Sequence, residues 1–104
     1  MKMQIFIDDE RFPPDDGKEW IIVRNYDDLF IFLNNTTETP NFVSFDHDLG
    51  LGKNGLDCAR LLIDHDVLHH NKWNVEYYVH SQNPIGKKNI EGLLESWKKF
   101  KENN

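Results

Sequence analysis

The sequence predicts a small three-layer α/β domain on a mostly parallel sheet of about four strands. Three observations carry that prediction. Short apolar runs at residues 3–7, 42–45 and 75–79 have the length of strands rather than helices. Between and after them, apolar residues recur at helical spacing: Tyr26, Leu29, Phe30 and Leu33, then Leu56, Ala59, Leu62, Ile63 and Val67, then Ile90, Leu93, Leu94, Trp97 and Phe100. The resulting order, β-β-α-β-α-β-α, alternates strands with crossover helices, which favours parallel pairing.

The elements follow in order along the chain. Residues 3–8 form the first predicted strand. Pro13-Pro14-Asp15-Asp16-Gly17 is a turn-rich loop, too rich in proline for an ordinary crossover helix. Trp20-Ile21-Ile22-Val23-Arg24 reads as a second strand. Asn25, with Asp28 three residues on, caps the first helix. Residues 34–41 are loop, punctuated by Pro40, and lead into a third strand over 42–46. Gly50, Gly52 and Gly55 make a flexible turn into the second helix. Residues 69–74 lead to a fourth strand over 75–80. Pro84 and Gly86 then break the chain before the last helix.

At 104 residues the chain is expected to be one domain. No apolar run approaches the ~20 residues of a membrane span, so no membrane partner is expected. Met1-Lys2-Met3-Gln4 runs straight into the first predicted strand, which predicts no signal peptide. The single cysteine, Cys58, excludes an intramolecular disulfide and suits a reducing cytoplasm. Its place in a helical apolar pattern suggests packing rather than reactivity. The net charge of −6 disfavours broad binding to duplex nucleic acid, which needs basic surface. A short RNA end or a nucleotide held by a few local cations stays compatible, because Lys87, Lys88, Lys98, Lys99 and Lys101 gather in the C-terminal segment.

The chemistry-bearing residues cluster where strands should end. Asp8-Asp9-Glu10-Arg11 follows the first strand, Asp46-His47-Asp48-Leu49-Gly50 the third, and His80-Ser81-Gln82-Asn83-Pro84 the fourth. In an open parallel sheet the carboxyl ends share one edge, and ligands bind there. Packed carboxylates repel unless a cation neutralises them. Asp8, Asp9 and Asp46 are therefore candidate ligands of a hard divalent cation, Mg²⁺ or Mn²⁺. Asp46 has a second possible role as a nucleophile. His47 is either a proton-transfer group or a packing histidine, and Asp48 either a site carboxylate or a turn residue. Arg11 and Arg24, just past strands one and two, are candidate phosphate clamps. Lys87 and Lys88 sit at the start of a helix, where cations are disfavoured unless an anion binds. Ser81, Asn83 and backbone N–H groups around Gly86 would then cradle a phosphate beside Lys87. Lys53 reads as solvated, His65 and His69 as residues of a helix end, and Trp20, Trp73 and Trp97 as core or partial core with no evident stacking platform.

These motifs resemble the receiver domains of response regulators: an acidic pair after the first strand, an aspartate after the third and a hydroxyl, Ser81, after the next. A Lys-Pro after a fifth strand is missing. The pattern is more similar to that of the cyclic-phosphate-processing receiver family. The similarity lies in Asp8-Asp9-x-Arg11-x-Pro13-Pro14, Trp20 through Arg24, Ser44-Phe45-Asp46-His47-Asp48-Leu49-Gly50, Gly55, and His80-Ser81-x-Asn83-Pro84-x-Gly86. It runs from the first strand to Asn89. The resemblance implies a receiver-like (flavodoxin-like) fold and the processing of cyclic phosphate ends or cyclic nucleotides. It also implies a setting in RNA repair or phage–host conflict, in the cytoplasm of a bacterium or a phage-infected host.

Three readings follow. The first is a metal-dependent phosphoesterase acting on a cyclic phosphate. Asp8, Asp9 and Asp46 would hold the metal, and His80 or His47 would protonate the leaving oxygen. Arg11, Asn83, Lys87 and the helix N-terminus would bind the phosphate. The second is a non-catalytic module that captures a nucleotide or a protein partner. The third is acyl-phosphate chemistry at Asp46, as in receivers or haloacid-dehalogenase-type phosphatases, whose Asp-x-Asp resembles Asp46-His47-Asp48.

Overall fold

A computed structural model describes residues 3–70 and 72–103. Met1 and Lys2, on which the leader expectation rests, lie outside them, as does Asn71 in the connection to the fourth strand. Four strands and three helices alternate: β1 (Gln4–Ile7), β2 (Ile21–Val23), α1 (Tyr26–Leu33), β3 (Phe42–Phe45), α2 (Gly55–His69), β4 (Glu76–Val79) and α3 (Pro84–Glu102). The sheet is wholly parallel in the order β2-β1-β3-β4. The chain reverses its winding between β1 and β3, the point where open α/β sheets leave a crevice.

Register decides which residues share a face. Ile7 pairs with Val23 and Phe45, and Phe45 pairs with Val79. These side chains, with Ile5 and Val43, join Leu29 and Leu33 of α1, Cys58, Ala59 and Leu62 of α2, and Ile90 and Leu94 of α3 in one buried core. All three helices therefore pack on one face. Gln4, Phe6, Ile22, Phe42, Ser44 and Tyr78 alternate to the other. The receiver-like class holds, but the expected third layer is a loop: the β1–β2 connection, residues 8–20, lies over that second face. Its prolines deny it a crossover helix.

The caps follow the sequence. The Asn25 side chain accepts from the Asp28 N–H, and Asn54 forms a capping box with Asp57. Three positions of the predicted apolar faces are on the surface instead: Phe30 is 46% exposed, Val67 51% and Phe100, near the end of α3, 54%. The first two fall to the flank of a stripe already filled by their neighbours, Leu29 and Leu33 in α1 and Leu62 and Asp66 in α2. Asp66 is buried, bonded to the Trp97 indole N–H at 3.0 Å and to Lys101 at 3.1 Å, and ties α3 to α2. Cys58 is fully buried; burial, then the nearby Asp57 charge, push its thiol up to about 12, so it is a packing residue.

Candidate active site

Three side chains converge because the ladder continues one residue beyond each strand. The Asp8 N–H donates to the Val23 carbonyl (3.2 Å), the Asp46 N–H to Ile7 (2.9 Å), and the His80 N–H to Phe45 (2.9 Å). Asp8, Asp46 and His80 thus stand in register on adjacent strands, spaced by the ~4.8 Å of a sheet. They also lie an even number of residues from Phe6, Ser44 and Tyr78, so the pleat sends them to the loop-covered side. Asp8 is fully buried and Asp46 is 5% exposed. One ligand atom from each of Asp8, Asp46 and His80 lies within 4.8 Å of the other two.

The two carboxylates are not equivalent. Burial would raise the pKa of Asp8, but its Oδ1 accepts from the N–H groups of Arg11 (2.8 Å) and Glu10 (2.9 Å), and His80 and the Arg11 guanidinium lie against it. The net effect holds Asp8 below the usual carboxylate value. Asp46 is pushed up, first by burial and then by the charge of Asp8, against the opposing pull of the His47 backbone N–H. Paired carboxylates driven apart in this way commonly mark functional sites.

His80 is fixed on three sides. Its Nε2 is 2.9 Å from Asp8 Oδ2, its Nδ1 is 2.7 Å from Ser44 Oγ, and its ring stacks on Phe6 with centroids 4.7 Å apart. An ionised Asp8 only accepts, so Nε2 carries a proton, and in the neutral ring Nδ1 accepts from the Ser44 hydroxyl.

The remaining predicted residues fall into three places. Arg11 stays with the cluster: its Nε is 3.6 Å from Asp8 Oδ2 while its side chain is 44% exposed, so it can reach a ligand. Asp9 is exposed and outside the converging group, its carboxylate turned toward Gly50. Arg24 donates to the carbonyls of Asp8 and Arg11 and lies over the Phe12 ring, bracing the start of the β1–β2 loop. His47 sits beside α3, with Nδ1 3.0 Å from the exposed Asp48 carboxylate. Ser81 Oγ accepts from the Asn83 N–H, and Asn83 caps α3 by accepting from the Gly86 N–H, both at 3.0 Å. Lys87 is half-buried in that first turn, where no acidic residue stands.

Two glycines explain how the clusters pack so closely. A Cβ at Gly55 would stand 2.0 Å from the Asp46 carbonyl oxygen, and one at Gly86 2.3 Å from the His47 ring. Gly55 thus lets α2 begin directly against the backbone of Asp46, which its N–H reinforces by donating to the His47 carbonyl at 2.8 Å. Ser44 and Phe6 were not singled out from sequence. The signal that finds them is their spacing, each two residues before a site aspartate on a strand.

The cluster fits a divalent cation. Two buried carboxylates could supply hard oxygen donors, with the His80 imidazole beside them and already engaged by Asp8 and Ser44. Carboxylates alone suit Mg²⁺, and an added imidazole suits Mn²⁺ or another transition metal better.

A four-stranded parallel sheet in the order 2-1-3-4, with buried aspartates ending β1 and β3, defines a receiver-like domain. The family model described as the cyclic-phosphate processing receiver domain matches residues 3–96. The chain belongs to that family. No curated protein and no solved structure matches it. Among the described residues, no helix is long and apolar enough to cross a membrane.

Proposed function

We propose that the domain is a metal-dependent phosphoesterase that opens a cyclic phosphate, either at a 2′,3′-cyclic RNA end or in a cyclic nucleotide. The observation that carries this reading is the convergence of Asp8, Asp46 and His80 at the carboxyl edge of the sheet. Asp8 and Asp46 would hold Mg²⁺ or Mn²⁺, which when bound polarises a phosphoryl oxygen and makes a water more acidic. Asp8 and Ser44 orient the His80 imidazole; as water adds to phosphorus and the ester P–O bond breaks, His80 in its doubly protonated form would give its Nε2 proton to the leaving oxygen, and the proton lost by the water would pass to solvent. Arg11 contributes an exposed guanidinium for a phosphate oxygen. Lys87 and the positive end of the α3 dipole would add positive potential from the side of His47.

A non-catalytic capture module is the second reading. The bonds to both His80 ring nitrogens, and the use of Ser81 and Asn83 in the α3 cap, favour it. A screen of nucleoside 2′,3′-cyclic phosphates, cyclic dinucleotides and RNA ends, with and without Mn²⁺, separates the two. Phosphoester turnover that falls by roughly 10²–10⁴-fold in folded His80→Ala supports catalysis. Metal should also raise the melting temperature of the wild type and not that of Asp46→Asn. Binding without turnover across the screen would leave the capture module, and equal metal shifts in both proteins would remove the metal site.

A further inference from the structure

Parallel sheets are ordinarily covered by helices on both faces. Here one face carries only the β1–β2 loop, and between loop and sheet lies a cavity of about 290 Å³. Aromatic rings make up half of its lining residues: Phe6, Trp20, Phe42, Tyr78 and His80. Trp20 meets Phe6 and Phe42 edge-on, at 6.0 and 5.9 Å between centroids. Tyr78 is 58% exposed. Polar residues make up most of the rest of the lining: Gln4, Lys18, Asp16 and Ser44.

The loop is tied down over this space. The Trp20 indole N–H donates to Asp16 Oδ1 at 3.3 Å, and the Gln4 amide N–H to the Glu19 carbonyl at 3.5 Å. The result is a concave slot under a lid rather than an open face for another helix. Flat π surfaces with a few hydrogen-bonding groups among them suit a planar heteroaromatic ring. The volume lies at the low end of the ~300–1,000 Å³ of ligand sites, room for one ring system and not for an oligonucleotide.

His80 joins this slot to the carboxylates. Its ring is part of the cavity wall, while its Nε2 touches Asp8. A molecule with a heteroaromatic ring at one end and an anionic group a few bonds away would span both. We propose that the cavity is a nucleobase subsite, so that the ligand is a nucleoside phosphate whose base enters under the loop and whose phosphate meets the carboxylate edge. The phosphate half rests on the phosphoesterase reading; the base half stands on the cavity.

The test is titration of the full chain with three kinds of probe: adenosine and uridine 2′,3′-cyclic monophosphates, the two free nucleosides, and inorganic phosphate. Tyr78→Ala removes an exposed ring and is expected to fold. It should weaken nucleoside and cyclic-nucleotide binding about 10-fold or more, as loss of one stacking ring does, and leave phosphate affinity unchanged. Tyr78→Phe should restore binding. As an independent readout, the indole NMR signal of Trp20 should move with nucleoside, while those of Trp73 and Trp97, packed against each other at 6.5 Å by α3, should hold still. Cyclic nucleotides that bind no tighter than phosphate, or an unmoved Trp20 signal, would overturn the subsite and leave the carboxylate site standing. Nucleosides that bind while phosphate and metal do not would keep the subsite and remove the phosphoesterase reading.

Discussion

Gly86→Ala probes the contact that seats α3 against the active-site edge. An alanine Cβ there would lie 2.3 Å from His47 Cγ and 2.6 Å from Cδ2 and Nδ1, about an ångström short of the 3.4 Å at which ordinary contact begins. The obstacle is a side chain, so the ring can yield, but it is only 14% exposed and must leave a packed position. Overpacking of this kind costs about 1–3 kcal/mol. Replacing a helical glycine by alanine returns about 1 kcal/mol of propensity. The net loss should be about 0–2 kcal/mol, a fall in melting temperature of up to roughly 10 °C for a domain of this size. The double variant His47→Ala/Gly86→Ala removes the obstacle. It should be more stable than His47→Ala alone, with a coupling of about 1–3 kcal/mol between the sites. Urea and thermal melts of the four proteins measure it. Additive effects within about 0.5 kcal/mol would refute the contact, and with it the account of why residue 86 is glycine.

Lys87→Ala should weaken phosphate binding while leaving ligand-free stability unchanged or raised by up to about 1 kcal/mol, because a cation in a first helical turn opposes the helix dipole; calorimetric titration and melts together check both halves. His65 supplies a pH dependence. Its Nε2 bonds to the Glu38 carbonyl at 3.0 Å, and burial, opposed by that bond, sets its pKa below the ordinary 6.5. The unfolded chain then takes up the proton first, so this contribution to stability is complete above pH 6.5 and is lost as pH falls toward the folded-state value. His65→Gln should flatten the fall in urea midpoint from pH 7.5 downward, and identical slopes in both proteins would refute it.

The sequence by itself determined the strands, their order of alternation with helices, and the three polar clusters at strand ends. Those features are local. Apolar runs of strand length, helical spacing and capping residues such as Asn25 act within a few residues, so they are readable without the fold. The absence of a first crossover helix was equally legible in Pro13, Pro14 and Gly17.

Only the tertiary structure decided which members of each cluster meet. Asp8, Asp46 and His80 come together because the ladder extends one residue past β1, β3 and β4, and a one-residue change of register would have put their neighbours there instead. Asp9, next to Asp8, lies in the bend past the end of the ladder and stays exposed. Ser81 and Asn83 offer the right groups for a phosphate, yet their side chains meet the unpaired N–H groups around the start of α3, a demand that appears only once the helix is placed. Trp20 read as core or partial core because an isolated tryptophan usually is. It lines a cavity here because all three helices pack on one face of the sheet and the β1–β2 connection alone covers the other, and that handedness belongs to the assembled sheet and to no single segment of the chain.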